Sequence, residues 1–559
     1  MSGRVKLKQR STNRNYTPDT QRMTTPPIFN RVSTPPAEML MLSKLGYGAD
    51  EWSVKRIKEL GIKGYINEQL NPDDSKDEVC NKKLQQLTYT IDYEWAIENG
   101  GKKIVKESRP YKLVQQTIQQ LWPLYHNEVP YPEKVYATKQ VFGATIIRGV
   151  YSKWQVRELL ADFWHNHFNI SVNIDDRVAI AFPVYDREVI RKNCLGNFRQ
   201  MLEDVAKSVC MQFYLDNASS KASPANENYA RELFELHTLG AENYMNHLYN
   251  KWREVPGATE GKPEGYIDED VYEAARAFTG WTIADGSADW KGGSFPNTGE
   301  FLYFEQWHDH YQKRVLGVEF SPNQAPMADG QKVLDLLAQH PGTARFIAKK
   351  LCVRLIADNP SPAIIELAAK EFLLSFNQPD QIARVIRVIA LSDECRLTWG
   401  EKIKRPLELV ISSFRAVNAS VVPNDNLLWA LLQMGQQPFA WPTPNGYPDN
   451  ATYWINAEML LRRWNFPINL LTTDWHKYAV TDMAGQTPDH LRTYRDVTQF
   501  WMKKILGYLP AEETVKGLSV FLADGAKADS DCKLRGNYKN EKISWLVSAI
   551  LLLPDFQVR

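Results

Sequence analysis

The stretch ADFWHNHFNIS, residues 161–171, decides how this chain is read. Extended back to Trp154 and wound at about 100° per residue, it places Val156, Leu159, Leu160, Phe163, Trp164 and Phe168 on one apolar arc, with His167 among them. Glu158, Asp162 and His165 fall on the opposite, polar side. The segment therefore reads as an amphipathic helix with His167 on its buried face. Its two histidines point apart, so they do not form a two-toothed metal clamp while the chain stays helical.

The same 3.6-residue pattern extends outward in both directions. AEMLMLSKLGYGADEWSVKRIKELGIKGYINEQLNP (37–72) reads as two or three short helices, with Gly46, Gly48, Gly61 and Gly64 as stops between them. Residues 71–110 are charged and weakly periodic and read as an insertion or long loop. Helical patterning returns over 111–126, 133–168, 186–213, 226–239 and 269–279. Between 281 and 325 the sequence turns rich in Gly, Asp and aromatics, with EFLYFEQW (300–307) as its best strand. Helices then resume from about 330 to 551. The fold expected is mainly α, a multi-helix globular body with a small β-hairpin or meander around 281–325. Three parts are expected: a basic, Pro-rich and disordered tail over 1–35, an N-terminal helical lobe over 36–325 and a C-terminal helical lobe over 326–559.

Composition narrows the function classes. Lys and Arg total 67 against 66 Asp and Glu, so no net field draws the chain to nucleic acid or anionic lipid. Apolar runs such as WLVSAILLLP fall short of the roughly 20 residues a membrane helix needs. The first residues lack the apolar core of a secretory signal, which points to a cytoplasmic setting. The six cysteines show no C-x-x-C spacing and suit a reducing compartment.

Two further segments carry titratable groups. In NENYARELFELHTLG (226–240) a helical arrangement gathers Glu227, Asn228, Arg231, Glu232 and Glu235 on one face and puts His237 on the other. A solvated ladder of i,i+4 charge pairs would explain the first face, and a satisfied core histidine the second. EQWHDHYQKRVLG (305–317) follows the candidate strand with His308, Asp309, His310 and Lys313, where a rigid element can hold side chains at an open end. A turn stabilised by Asp309 is the plainer reading. No zincin, Walker, dinucleotide or nucleophile-elbow motif is present.

Taken with NCLGNFRQML, YLDNASS, DEDVYEAARAFTGWTI, RPLELVISSFRAV, MGQQPFAWPTPNGYP and YWINAEMLLRRWNF, these blocks stand in the order of the bacterial domain-of-unknown-function family 1800, which the chain resembles over roughly residues 36–557. The resemblance highlights His165, Asn166, His167, Asn226, Glu227, Arg231, Glu232, Glu235, His237, Gly280, Trp281, His308, Asp309 and Lys313. It implies a largely helical protein, often exported and often encoded beside a sulfatase-like protein, which makes such a protein the expected partner and export by a non-standard route the alternative to a cytoplasmic setting.

Two functions of different classes follow. In the first, His167, His237 and His308 converge on a divalent metal such as zinc, iron or manganese, with Glu232, Glu235, Asp309 and Lys313 as the catalytic set of a metal-dependent or acid/base hydrolase. A polar or polymeric substrate would suit the aromatics of GWTIADGSADW and QQPFAWPTPNGYP. In the second, the protein is a non-catalytic binding or assembly protein, and the same residues form a buried polar network that fixes its fold.

Overall fold

A computed structural model describes residues 34–96, 101–289 and 292–559. The tail expected over 1–35 therefore lies, apart from Thr34 and Pro35, outside the described residues.

The molecule is built around the helix Pro406–Ala416, in which all eleven residues are buried. Its sequence, PLELVISSFRA, buries Glu408, Ser412, Ser413 and Arg415 along with its apolar residues, and their polar groups are paired inside the core, as when Arg415 donates to Val150 O at 2.7 Å. The long helix Tyr131–Tyr151 packs on it, and Gly149 makes the close approach possible, since a Cβ there would sit 2.6 Å from Ile411 Cδ1. Buried side chains from both sides of residue 325 join one hydrophobic core that runs from Leu40 to Phe556. Polar ties cross the same boundary: Lys44 Nζ donates to Ile356 O at 2.8 Å, and the Arg559 guanidinium donates to Lys44 O at 3.3 Å.

Helices broadly follow the sequence patterns, and before residue 111 the structure departs from them in two places. The helix Glu51–Gln69 runs through Gly64 and is only kinked at Gly61, whose φ of 67° is left-handed. Asp50 starts this helix by accepting from Ser53 N at 2.7 Å. The segment read as an insertion or loop instead holds the helix Glu78–Gln85 and an antiparallel hairpin of two nine-residue strands, Thr88–Ala96 and Lys102–Pro110. Its signal was the alternation of Tyr89, Ile91 and Tyr93 with polar residues: Tyr89 and Ile91 face the core, while charged cross-strand pairs such as Lys106–Asp92, at 2.7 Å, occupy the outer face.

The β excursion expected around 281–325 is two small hairpins, Trp281–Asp285 with Asn297–Tyr303 and Lys313–Val315 with Val318–Phe320. Gly280 introduces the first with φ 80°, and a Cβ there would lie 2.7 Å from Phe304 O. Among the described residues, no helix is long and apolar enough to cross a membrane.

Candidate active site

The helix Gln155–His167 ends where Phe168 leaves the helical region. Its polar side does not face solvent, contrary to the amphipathic reading: Glu158 and His165 are buried. His165 Nε2 lies 2.9 Å from Asp186 Oδ1, Arg191 donates to Asp186 at 3.0 Å, and it also reaches Glu158 at 2.7 Å. Burial alone would raise the Asp186 pKa, but Arg191, His165 and Arg148 together hold it well below the usual carboxylate range. The wheel separated apolar from polar faces correctly and could not show that both are covered.

On the other side, His167 is fixed by two contacts. Its Nε2 lies 3.1 Å from the carbonyl oxygen of His237, which can only accept, so Nε2 carries the proton. The lone pair on Nδ1 then accepts from Lys350 Nζ at 2.8 Å. Phe163 stacks on the imidazole at 6.1 Å, and the His237 ring lies 6.3 Å away. Burial, then Lys350, then His237 push the His167 pKa well below its ordinary value. His237 is completely buried, neither of its ring nitrogens has a hydrogen-bond partner among the described residues, and burial with Lys350 lowers its pKa to about 3. Both imidazoles are therefore neutral at pH 7. Lys350 itself is brought down to about 8 by burial, with the charge of Asp449 opposing the shift.

Residues 226–240 position the second group. Asn226 caps the helix Glu227–Glu232 by accepting from Asn228 N at 3.0 Å. The chain then widens into a π-helical segment, Leu233–Thr238, instead of continuing at 3.6 residues per turn. The Glu227–Arg231 pair forms at 3.2 Å, and the second partner of Arg231 is Asp268 at 3.3 Å. Glu232 and Glu235 are half-buried. Burial first, and the neighbouring Glu235 second, raise the Glu232 pKa to about 7 against the opposing Arg231.

The segment 439–449 is tied to the neighbours of both groups through Asn166, Asn169 and Tyr214. Asn166 holds it through Nδ2 to Tyr447 O at 2.9 Å and through Oδ1, which accepts from Tyr447 N at 2.7 Å. Asn169 donates to Trp441 O at 3.0 Å and to Thr443 O at 2.8 Å. Gly446, at φ 70°, lies against the Asn166 backbone, where a Cβ has no room. Tyr214 donates to Pro442 O at 3.0 Å and feels the charge of Glu232. Asp449, at the other end of the segment, is the charge that reaches Lys350.

His308, Asp309 and Lys313 belong to a separate centre. His308 lies 2.9 Å from Thr279 O and 3.3 Å from Asp329 Oδ2. Asp309 accepts from Arg276 at 2.8 and 3.0 Å, and Lys313, fully buried, meets Asp329 at 2.7 Å. Burial would raise the Asp309 pKa, but the Arg276 guanidinium holds it below its ordinary value. Among the described residues, the hydrogen bonds and ion pairs of these three run to Thr279, Arg276, Asp329 and their own loop, and none runs to His167, His237, Glu232 or Glu235.

No hydrogen bond or ion pair among the described residues links His308 to the neighbouring rings of His167 and His237. Among the described residues no group of three or more His, Cys, Asp or Glu could hold an ion, and both ring nitrogens of His167 are already engaged. The donor set does not fit zinc, iron or manganese. What the structure brings together instead are Lys350, His167 and His237, while Glu232 and Glu235 neighbour each other and are linked to the 439–449 segment only through Tyr214. Sequence reading missed Lys350 and Asp449, the first because one lysine in the helical run GTARFIAKKLCVRL carries no local signal. Asn169, Tyr214 and the 439–449 segment lay within or beside blocks already singled out.

The family model described as "Protein of unknown function (DUF1800)" matches residues 40–558. No curated protein and no solved structure matches the chain.

Proposed function

The chain belongs to the DUF1800 family, and we propose that it is an acid/base hydrolase acting on a polar or polymeric substrate bound against the 439–449 segment. The observation that carries this reading is the Lys350 amine, at a pKa of about 8, hydrogen-bonded at 2.8 Å to an imidazole of fixed tautomer. A general base works best when its pKa lies near the working pH. Neutral Lys350 takes a proton from a water molecule as the water oxygen bonds to the substrate's electrophilic centre. Glu232, protonated up to about pH 7, gives its proton to the leaving group as that bond breaks. His167 is a positioning residue, orienting the amine through Nδ1. Trp441, Thr443 and Asn445 offer a ring and polar groups to a hydroxyl-rich substrate.

The two pKa values are reversed relative to the protonation states needed, so the active fraction is a minority that peaks between about pH 7 and 8. The test is turnover of chromogenic esters, glycosides and phosphates across that pH range by the wild type, Lys350→Met and Glu232→Gln. A bell-shaped profile, with kcat/KM lowered about 10²–10⁴-fold in both variants at unchanged circular dichroism, supports the reading. Turnover unaffected by both substitutions defeats it.

A second reading, a non-catalytic binding or assembly protein with a structural buried polar network, is supported by the pairing of charges in the Arg276–Asp309–Lys313–Asp329 network. It anticipates no turnover by the wild type, and variants that alter stability alone.

A further inference from the structure

A groove of about 950 Å³, lined by none of the acid/base residues, opens between the helices Ala37–Lys44 and Glu51–Gln69 and the ends of Tyr131–Tyr151, Pro406–Ala416 and Tyr494–Leu506. Its apolar lining includes Met39, Trp52, Val54, Val79, Tyr151 and Phe414, and Val79 is 56% exposed there. An exposed valine in a groove also lined by the partly exposed Met39, Trp52 and Tyr151 is apolar surface held open to solvent. The charged lining is one-sided: Lys55, Lys58, Lys153, Arg415, Lys503 and Lys504 against Glu38, Asp50 and Glu51.

Two of these acids are already engaged. Asp50 meets Arg415 at 2.9 Å, and Glu51 meets Lys504 at 3.4 Å. Of the remaining lysines, Lys55 lies 3.9 Å from Glu59 in an exposed pair that solvent screens. Lys153 donates to Lys76 O at 2.8 Å, a neutral partner. Lys58 and Lys503 are both exposed. Lysine stems lie along apolar surface and carry their ammonium groups to its edge, which suits a ligand with a hydrocarbon body and an anionic head.

We propose that this groove binds a long-chain carboxylate, its hydrocarbon chain against Met39, Trp52 and Val79 and its head among Lys58, Lys153 and Lys503. The inference is independent of the hydrolase reading. The segment of the chain that precedes the groove is a poor occupant: residues 1–33 carry seven Lys and Arg against one Asp, and like charges on groove and segment repel.

The test uses the full chain and two fluorescent probes, dansylaminoundecanoic acid and the corresponding uncharged dansylaminoundecanol. The carboxylate is expected to bind saturably at one site, more weakly as salt is raised. Lys58→Glu combined with Lys503→Glu should weaken the carboxylate about tenfold or more, which corresponds to the loss of one good charge contact, while leaving the alcohol unchanged. Val79→Asp should weaken both probes. All three positions are exposed, and melting temperatures within a degree or so of wild type would exclude misfolding. Overturning results are no saturable binding by the full chain, which is what a groove already filled by its own residues would give, or carboxylate affinity that charge reversal leaves unchanged.

Discussion

His167 and Glu232 show how the same burial produces opposite consequences for a base and an acid. The His167 imidazole is held neutral, Nε2–H toward His237 O and Nδ1 toward Lys350. Nitrogen-15 correlation spectra should therefore show an Nε2–H tautomer at pH 7, and a titration near 6.5 would refute the assignment. His167→Ala would leave Lys350 and His237 O unpartnered in a packed site and should cost about 2–4 kcal/mol in urea denaturation. For Glu232 the folded-state pKa of about 7 stands above the ordinary 4.5. The fold thus binds more protons than the unfolded chain between these values, so the group's stabilising contribution is complete below about 4.5 and lost as pH rises through 7. Melting curves of Glu232→Gln should match wild type at pH 4.5 and lie above it at pH 8. Equal melting at both would show that Glu232 is solvated as an ordinary carboxylate.

At the scale of elements, the end of the Gln155–His167 helix and the 439–449 segment form one unit. Asn166 uses both ends of its carboxamide on the Tyr447 backbone, and the residue before Tyr447, Gly446, leaves no space for a side chain. Asn166→Ala strands a buried backbone N–H and carbonyl and should cost about 1–3 kcal/mol. Hydrogen exchange should locate that loss in residues 439–449, with the amides of Pro406–Ala416 still protected. Uniform loss across the molecule would mean that the segment is not separately latched. The π-helical segment Leu233–Thr238 is a second element whose geometry matters, since a wheel drawn at 100° per residue ceases to apply at Leu233.

Across the whole molecule, a buried ionic centre ties distant parts of the chain. Asp162 accepts from Arg354 at 3.0 Å and also from Arg405, while Glu408 meets Arg354 at 2.8 Å and Arg559 at 3.4 Å. Burial would raise the Glu408 pKa, but Arg354, Arg559 and Arg405 hold it far below its ordinary value. Its contribution is thus complete above pH 4.5 and lost as pH falls below that value. Glu408→Gln leaves buried guanidinium groups without their counterion and should cost about 3–5 kcal/mol at pH 7, with the gap to wild type narrowing in acid. A cost under about 1 kcal/mol at pH 7 would mean that water already solvates these charges.

Helix positions, the β excursion after Gly280 and the burial of His167 and His237 were all legible in the sequence, because side-chain periodicity is a local consequence of backbone geometry. The same locality explains what was misread. The stretch 88–110 reads as a loop because the outer face of its hairpin carries charge on nearly every second residue, although Tyr89 and Ile91 alternate with it. Which polar groups meet was settled by tertiary packing alone: His308 faces Asp329 rather than His167, and Lys350 reaches His167 from 183 residues away. A helical wheel gives the direction of a side chain but not what packs against it. The depressed pKa of Lys350 and the raised pKa of Glu232 are properties of that enclosure, because desolvation exists only once the surrounding helices have closed.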